Sequence, residues 1–140
     1  MEASKLTSSR GLVVTVVFEG WEKIAEARRL ARSFLDEVQA VHGRSVSSRT
    51  RETVELIVTE LVSNARKYAP GPSTLTLELA DGLVEVSVWD GNPDPPVVMP
   101  TDPYRIGQHG LEVIVAAADV IRTRREAHGK RITAGVVMTG

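Results

Sequence analysis

At 140 residues and a net charge of −1, the chain is long enough for one domain with a real core and carries no charge bias toward nucleic acid. Cysteine is absent, which excludes disulfides, thiol catalysis and thiolate metal sites, and three histidines scattered at His42, His109 and His128 do not suggest a zinc centre. With 42% hydrophobic and 25% charged residues, no apolar run of membrane-spanning length and no signal-peptide core in "MEASKLTSSRG", the expectation is a soluble cytoplasmic protein.

Residues 1–10 are polar and read as a flexible start to a single domain spanning 1–140. "GLVVTVVFEG" is a β-branched run bounded by glycines, the signature of a strand. From Trp21 to about Val41, Ile24, Ala27, Leu30, Ala31, Phe34, Leu35 and Val38 recur at helical spacing. The Gly/Ser connector "HGRSVSSRT" leads into a second helix from about Arg49 to Tyr68, which "APGPS" ends. "STLTLELA" and "LVEVSVWD" alternate in period two around "DG" and predict a hairpin. The stretch from Asp90 to Gln108 holds five prolines and three aspartates without periodicity, a long loop of the kind that serves as a functional lid. "HGLEVIVAAAD" predicts a short helix beginning at Gly110, and "VIRTRREA" with "RITAGVVM" predicts a closing hairpin. Grouped helices beside antiparallel hairpins imply an α+β fold, a two-layer sandwich. A Rossmann arrangement does not fit, because strand and helix do not alternate and no G-x-G-x-x-G follows the first strand.

Three places carry candidate chemistry. In "VTELVSNARKYA", Glu60, Asn64 and Lys67 fall within roughly 60° of one another on a helix, at the border of the apolar arc formed by Val54, Ile57, Val58, Leu61, Val62 and Ala65. Ser63, Thr59, Arg66 and Glu55 are then expected on a solvent side. A border carboxylate suits proton acceptance, and an amide oxygen suits Mg²⁺. In "VSVWDGNPDPP", Asp90 ends a strand, placed to accept from a ligand's exocyclic amine. In "IGQHGLEV", Gly107 and Gly110 precede a helix whose N-terminal amides suit phosphate. Each has an ordinary alternative: a solvated helix edge with a Glu–Lys pairing, a polar turn, a glycine hinge with His109 as a mere loop residue. Taken singly, the ordinary reading is the stronger one. Taken in order, the three supply a base contact, a metal ligand, a phosphate loop and a general base.

These residues resemble the GHKL ATPase superfamily, and more closely its small branch of anti-sigma-factor serine kinases and their actinobacterial relatives. "ELVSNARKYA" resembles the N box, E-x-x-x-N-A, with Glu60 at its carboxylate, Asn64 at its magnesium-binding amide and Lys67 at a position often basic. "VWDGNP" resembles the first glycine box, whose Asp contacts adenine, here Asp90 followed by Asn92. "IGQHGLEVIVAAAD" resembles the second box, G-x-x-G-L, through Gly107, Gly110 and Leu111, with Arg105 in the lid. "HGKRITAGV" resembles the terminal strand turn. The resemblance implies a Bergerat fold, ATP and Mg²⁺ as cofactors, and Glu60 as base for a protein Ser/Thr hydroxyl. It implies an anti-anti-sigma (STAS) domain as phosphate acceptor, a sequestered sigma factor, a possible homodimer, and neither nucleic acid nor membrane as direct partner. Two positions depart from the pattern. The first box normally reads D-x-G, whereas here Gly91 precedes Asn92, and Arg131 stands where a Thr is expected, adding a charge on the base side. These departures raise an alternative: an ATP-binding or anti-sigma module without catalysis. A histidine-kinase catalytic domain fits less well, since such kinases more often begin the N box with His or Asp.

Overall fold

The computed structural model describes residues 2–8, 11–43, 45–69, 71–92 and 110–138. The element order is β1 (Glu2–Ser8), β2 (Gly11–Phe18), α1 (Ile24–His42), α2 (Ser48–Tyr68), β3 (Ser73–Ala80), β4 (Leu83–Asp90), α3 (Gly110–Ala117), β5 (Val120–Glu126) and β6 (Gly129–Val137). Both long helices, both hairpins and the short helix starting at Gly110 lie where periodicity places them. The flexible start expected over residues 1–10 is corrected: Glu2–Ser8 forms β1, which pairs antiparallel with β2 from Glu2↔Val17 to Ser8↔Gly11. "EASKLTS" has no alternating apolar pattern, and its strand state follows its backbone pairing to the edge of β2.

The six strands form one antiparallel sheet in the order β1-β2-β3-β4-β6-β5. Period-two alternation gives every strand two faces. Leu12, Val16 and Phe18 of β2, Leu75, Leu77 and Leu79 of β3, Val84, Val86 and Val88 of β4, and Ile132, Ala134 and Val136 of β6 share one face and are buried. The helices cover that face, contributing Ala31, Phe34 and Leu35 from α1, Val54, Ile57, Val58, Leu61 and Val62 from α2, and Ile114 from α3. The expected two-layer α+β sandwich is therefore the observed fold. No described helix is long and apolar enough to cross a membrane.

Local chemistry sets the boundaries. Gly43 takes the left-handed conformation (φ 63°) that ends α1, and Asp81 and Gly82 (φ 52° and 79°) supply the two left-handed residues of the β3–β4 turn. Ser47 caps α2, its hydroxyl accepting from the Thr50 amide at 3.1 Å. At the same end, the Thr50 hydroxyl donates to the Met138 carbonyl at 3.4 Å, tying α2 to the end of the sheet's β6 strand.

Two residues of the α2 side expected to face solvent, Glu55 and Arg66, are instead engaged by α1 and by the turn before it. Glu55 accepts from Arg32 of α1 at 3.0 Å, and Arg51 pairs with Asp36 of α1 at 2.9 Å. Arg66 reaches the turn between β2 and α1, where its NH1 donates to the Glu22 carbonyl and its guanidinium lies 5.8 Å from the Phe18 ring centroid. A single helix wheel cannot reveal this second helix, because α1 presents charged partners rather than apolar ones to that border. Glu22 itself is buried, and its carboxylate accepts the backbone amides of Glu19 and Gly20 at 3.0–3.1 Å, with Arg66 NH2 at 3.8 Å. Burial alone would raise the Glu22 pKa, but those amide bonds and the Arg66 charge prevail and hold it below its usual 4.5.

Gly129 opens β6 at a place where only hydrogen fits: a Cβ there would stand 2.0 Å from the Asp90 carbonyl oxygen and 2.9 Å from the Trp89 indole.

Two expectations follow. Because the folded-state pKa of Glu22 is depressed, its stabilisation is fully present above the unfolded-state value and is lost as pH falls from about 4.5 through the folded value. Urea midpoints measured from pH 6 to pH 3 should therefore decline, and Glu22→Gln should flatten that decline while costing about 2–4 kcal/mol at pH 7. An identical pH slope in the variant would refute the role given to this carboxylate. Gly129→Ala should lower stability by about 2–3 kcal/mol in urea unfolding through forced separation of β6 from β4, and an unchanged midpoint would contradict the close approach.

Candidate functional site

The candidate site is built at one end of the sheet. Asp90 is the last residue of β4 and Lys130 the second of β6, and the register pairs them directly. Alternation carries both side chains to the helix-covered face, one step beyond Val88 and Ile132. Both are buried, 2% and 3% exposed. The Lys130 ammonium donates to Asp90 Oδ1 at 3.0 Å and to the Asn92 carbonyl at 3.2 Å. The Asn92 amide N–H donates to the same Asp90 Oδ1 at 2.9 Å, and its side-chain Nδ2 donates to the Tyr68 carbonyl at 3.1 Å. Ser73 of β3 faces Asp90 from the other side and is also buried. This set fastens the turn after β4 to the last residue of α2.

That fastening places the polar border of α2 beside the same end. Asn64 lies one turn before Tyr68 and Glu60 two turns before it, about 12 Å along the helix axis. Glu60 and Asn64 are half-buried and Lys67 is exposed, its ammonium 5.7 Å from the Tyr68 ring centroid. At 100° per residue these three sit across the buried arc from Glu55 and Arg66, hence away from α1. Helix α3 packs on α2 as well. Among the described residues, neither Glu60 nor Asn64 makes a side-chain hydrogen bond, which leaves a carboxylate and an amide oxygen available to a ligand.

The Asn92–Tyr68 bond therefore sets Asp90 and Asn92 against the C-terminal end of α2, the helix whose polar border carries Glu60, Asn64 and Lys67. Gly110 begins α3 and Leu111 follows within its first turn, as expected from the sequence. Arg105, Gly107 and His109, with the rest of the expected lid from residue 93, lie outside the described residues. Arg131 requires correction. It pairs with Trp89, so its side chain is on the opposite, outer face of the sheet. There Nε donates to Glu126 at 3.1 Å and NH1 donates to the Ser87 hydroxyl at 3.2 Å. The charge expected beside Asp90 comes instead from Lys130, which the motif comparison passes over. A signal for it exists in the sequence: Ile132, Ala134 and Val136 point inward, so by parity Lys130 points inward and Arg131 outward.

The donor set fits a nucleotide with a divalent ion. Asp90 Oδ2 makes no hydrogen bond among the described residues and suits an amine donor, and the Asn64 amide oxygen suits a hard cation. No group of three His, Asp or Glu side chains able to hold a metal occurs among the described residues. A hollow of about 300 Å³ lined by Glu19, Gly20, Trp21, Arg66 and Gly71 lies on the α1 side of α2 and includes none of these groups.

Comparison with known proteins agrees with this architecture. The RsbU and RsbW domains of Rv1364c from Mycobacterium tuberculosis superpose with a TM-score of 0.65 at 20% identity, covering 90% of this chain and 32% of that one. The present chain thus spans about a third of that protein's solved length. The Acinetobacter baumannii histidine kinase AdeS gives a TM-score of 0.50 at 16% identity, covering 90% of this chain and 68% of that one. At these identities the likeness is one of fold. No curated protein matches the chain in sequence. The family model described as the histidine kinase-like ATPase domain matches residues 21–136, from the start of α1's approach to the end of β6. By that match the chain belongs to the histidine kinase-like ATPase family.

Proposed function

We propose that the chain binds Mg-ATP across the end of its sheet and acts as a protein serine/threonine kinase on an anti-anti-sigma (STAS) partner. The observation that carries the reading is the junction of Asp90 with the Glu60–Asn64 border of α2, fastened by the Asn92–Tyr68 bond. Family membership and the fold likeness to a protein with an RsbW domain support it.

In this reading Asp90 accepts from the exocyclic amine of the base, Asn64 offers its amide oxygen to Mg²⁺, and Lys67 adds positive charge near the phosphates. The resemblance assigns Arg105, Gly107, Gly110 and Leu111 to the phosphate end. Glu60 accepts the proton of the partner's hydroxyl as that oxygen bonds to the terminal phosphorus. The bond from this phosphorus to the bridging oxygen breaks, and ADP leaves. Most of the acceleration would come from positioning and charge neutralisation, which fixed groups on α2 and β4 provide. A sigma factor and a second copy of the chain are the further partners, and the cytoplasm the compartment, that this function calls for.

A second reading is an ATP-binding module without transfer. One of its supports weakens, since Arg131 does not project toward Asp90. The inverted Gly91–Asn92 order is its remaining support, and here Asn92 secures the Asp90 turn instead of leaving it loose.

Calorimetric titration should show Mg²⁺-dependent ATP binding that Asp90→Asn weakens at least 10-fold, as expected for loss of a charge-assisted hydrogen bond. Equal affinities in a variant that keeps its thermal midpoint would remove the base contact. With radiolabelled ATP and a STAS protein, Glu60→Gln should keep nucleotide affinity and lose at least 100-fold in transfer rate. Undiminished transfer would reassign the base, and no transfer by the native protein would favour the binding module.

A further inference from the structure

Lys130 is a buried ammonium in which two of three protons are committed, to Asp90 Oδ1 and to the Asn92 carbonyl. Among the described residues nothing accepts the third. Asp90 has the complementary remainder: Oδ1 takes two donors, and Oδ2 takes none among the described residues. A buried donor and a buried acceptor with unused capacity therefore stand side by side, on paired residues of adjacent strands. Buried polar groups of this kind are satisfied in the working state of a protein, by water or by ligand.

We propose that Lys130 is a second base-reading residue of this site. Asp90 Oδ2 accepts from the exocyclic amine of an aminopurine, and the third N–H of Lys130 donates to the ring nitrogen next to that amine. An adenine edge presents this donor and acceptor on neighbouring atoms, so one ion pair reads both. The bonds within the pair also lock the Asp90 carboxylate, so Oδ2 is the oxygen that remains for the base. The inference rests on the ATP-binding reading above and deepens it by assigning a direct protein contact to the ring nitrogen.

The decisive experiment compares ATP with 1-deaza-ATP, which keeps the amine and lacks the ring acceptor, and with 7-deaza-ATP as control, on the native protein by calorimetry. The expected result is roughly 10- to 100-fold weaker binding of 1-deaza-ATP, the range for a lost hydrogen bond to a charged group, and near-native binding of 7-deaza-ATP. In Lys130→Met the preference for ATP over 1-deaza-ATP should vanish, although both bind less well. A lysine that only braces the fold would lower both affinities and leave their ratio unchanged, which overturns the proposal. Equal binding of ATP and 1-deaza-ATP by the native chain overturns it too while leaving the nucleotide site standing, and this arm decides even if Lys130→Met does not fold. Failure of the native chain to bind ATP at all removes the site and this role together.

Discussion

A buried ion pair, Lys130 to Asp90, is the constraint on which this end of the molecule depends. Taking an ammonium and a carboxylate out of water is costly, and their mutual attraction compensates only when further hydrogen bonds satisfy what remains. The chain supplies those bonds from one residue, Asn92, whose amide donates to the carboxylate and whose carbonyl accepts from the ammonium. The pair is thereby held at the boundary between the hydrophobic layer and the turn after β4. Gly129 makes it possible, because any side chain there would drive β6 away from the Asp90 backbone.

Helix α2 works as a beam with two different polar borders. The border toward α1 is structural: Glu55, Arg51 and Arg66 are engaged by Arg32, Asp36 and the Glu22 turn. Arg66 is costly there, since Nε and NH2 are buried without hydrogen-bond partners and depend on the Glu22 charge and the Phe18 ring for compensation. The other border carries Glu60 and Asn64 with their polar atoms uncommitted among the described residues. One helix thus places its ion pairs on the border that fixes its position, and Glu60 and Asn64 lie on the other. The same division runs through the sheet, where the inner face packs the core while the outer face carries Arg131, Glu126, Ser87, Arg122 and Glu85 in surface contacts.

Chain order and hydrophobic period made most of the fold legible. The apolar repeat of α1, the Asp-Gly turn between two alternating strands, and the Gly and Pro residues that end elements all act locally, over spans that a linear reading samples. Glu60, Asn64 and Asp90 were legible for the same reason, each by its position relative to a helix face or a strand end. Strand β1 was not, because its sequence carries no alternating apolar pattern and its state depends on a backbone partner. Arg131 was expected on the base side because a motif match counts positions, whereas a strand sends neighbours to opposite faces and turns Lys130 inward instead.

By itself, the sequence determined which segments after β1 are helix and strand, which residues face the core, and that a carboxylate, an amide and a strand-end aspartate recur in the order of a nucleotide-binding family. Those properties follow from periodicity and local turn chemistry. The tertiary structure alone decided which polar groups meet: Asp90 with Lys130, Glu22 with Arg66, Asn92 with Tyr68. These pairs join residues 24 to 44 positions apart. Their geometry is set by strand register and by one helix lying against another, which no local pattern encodes.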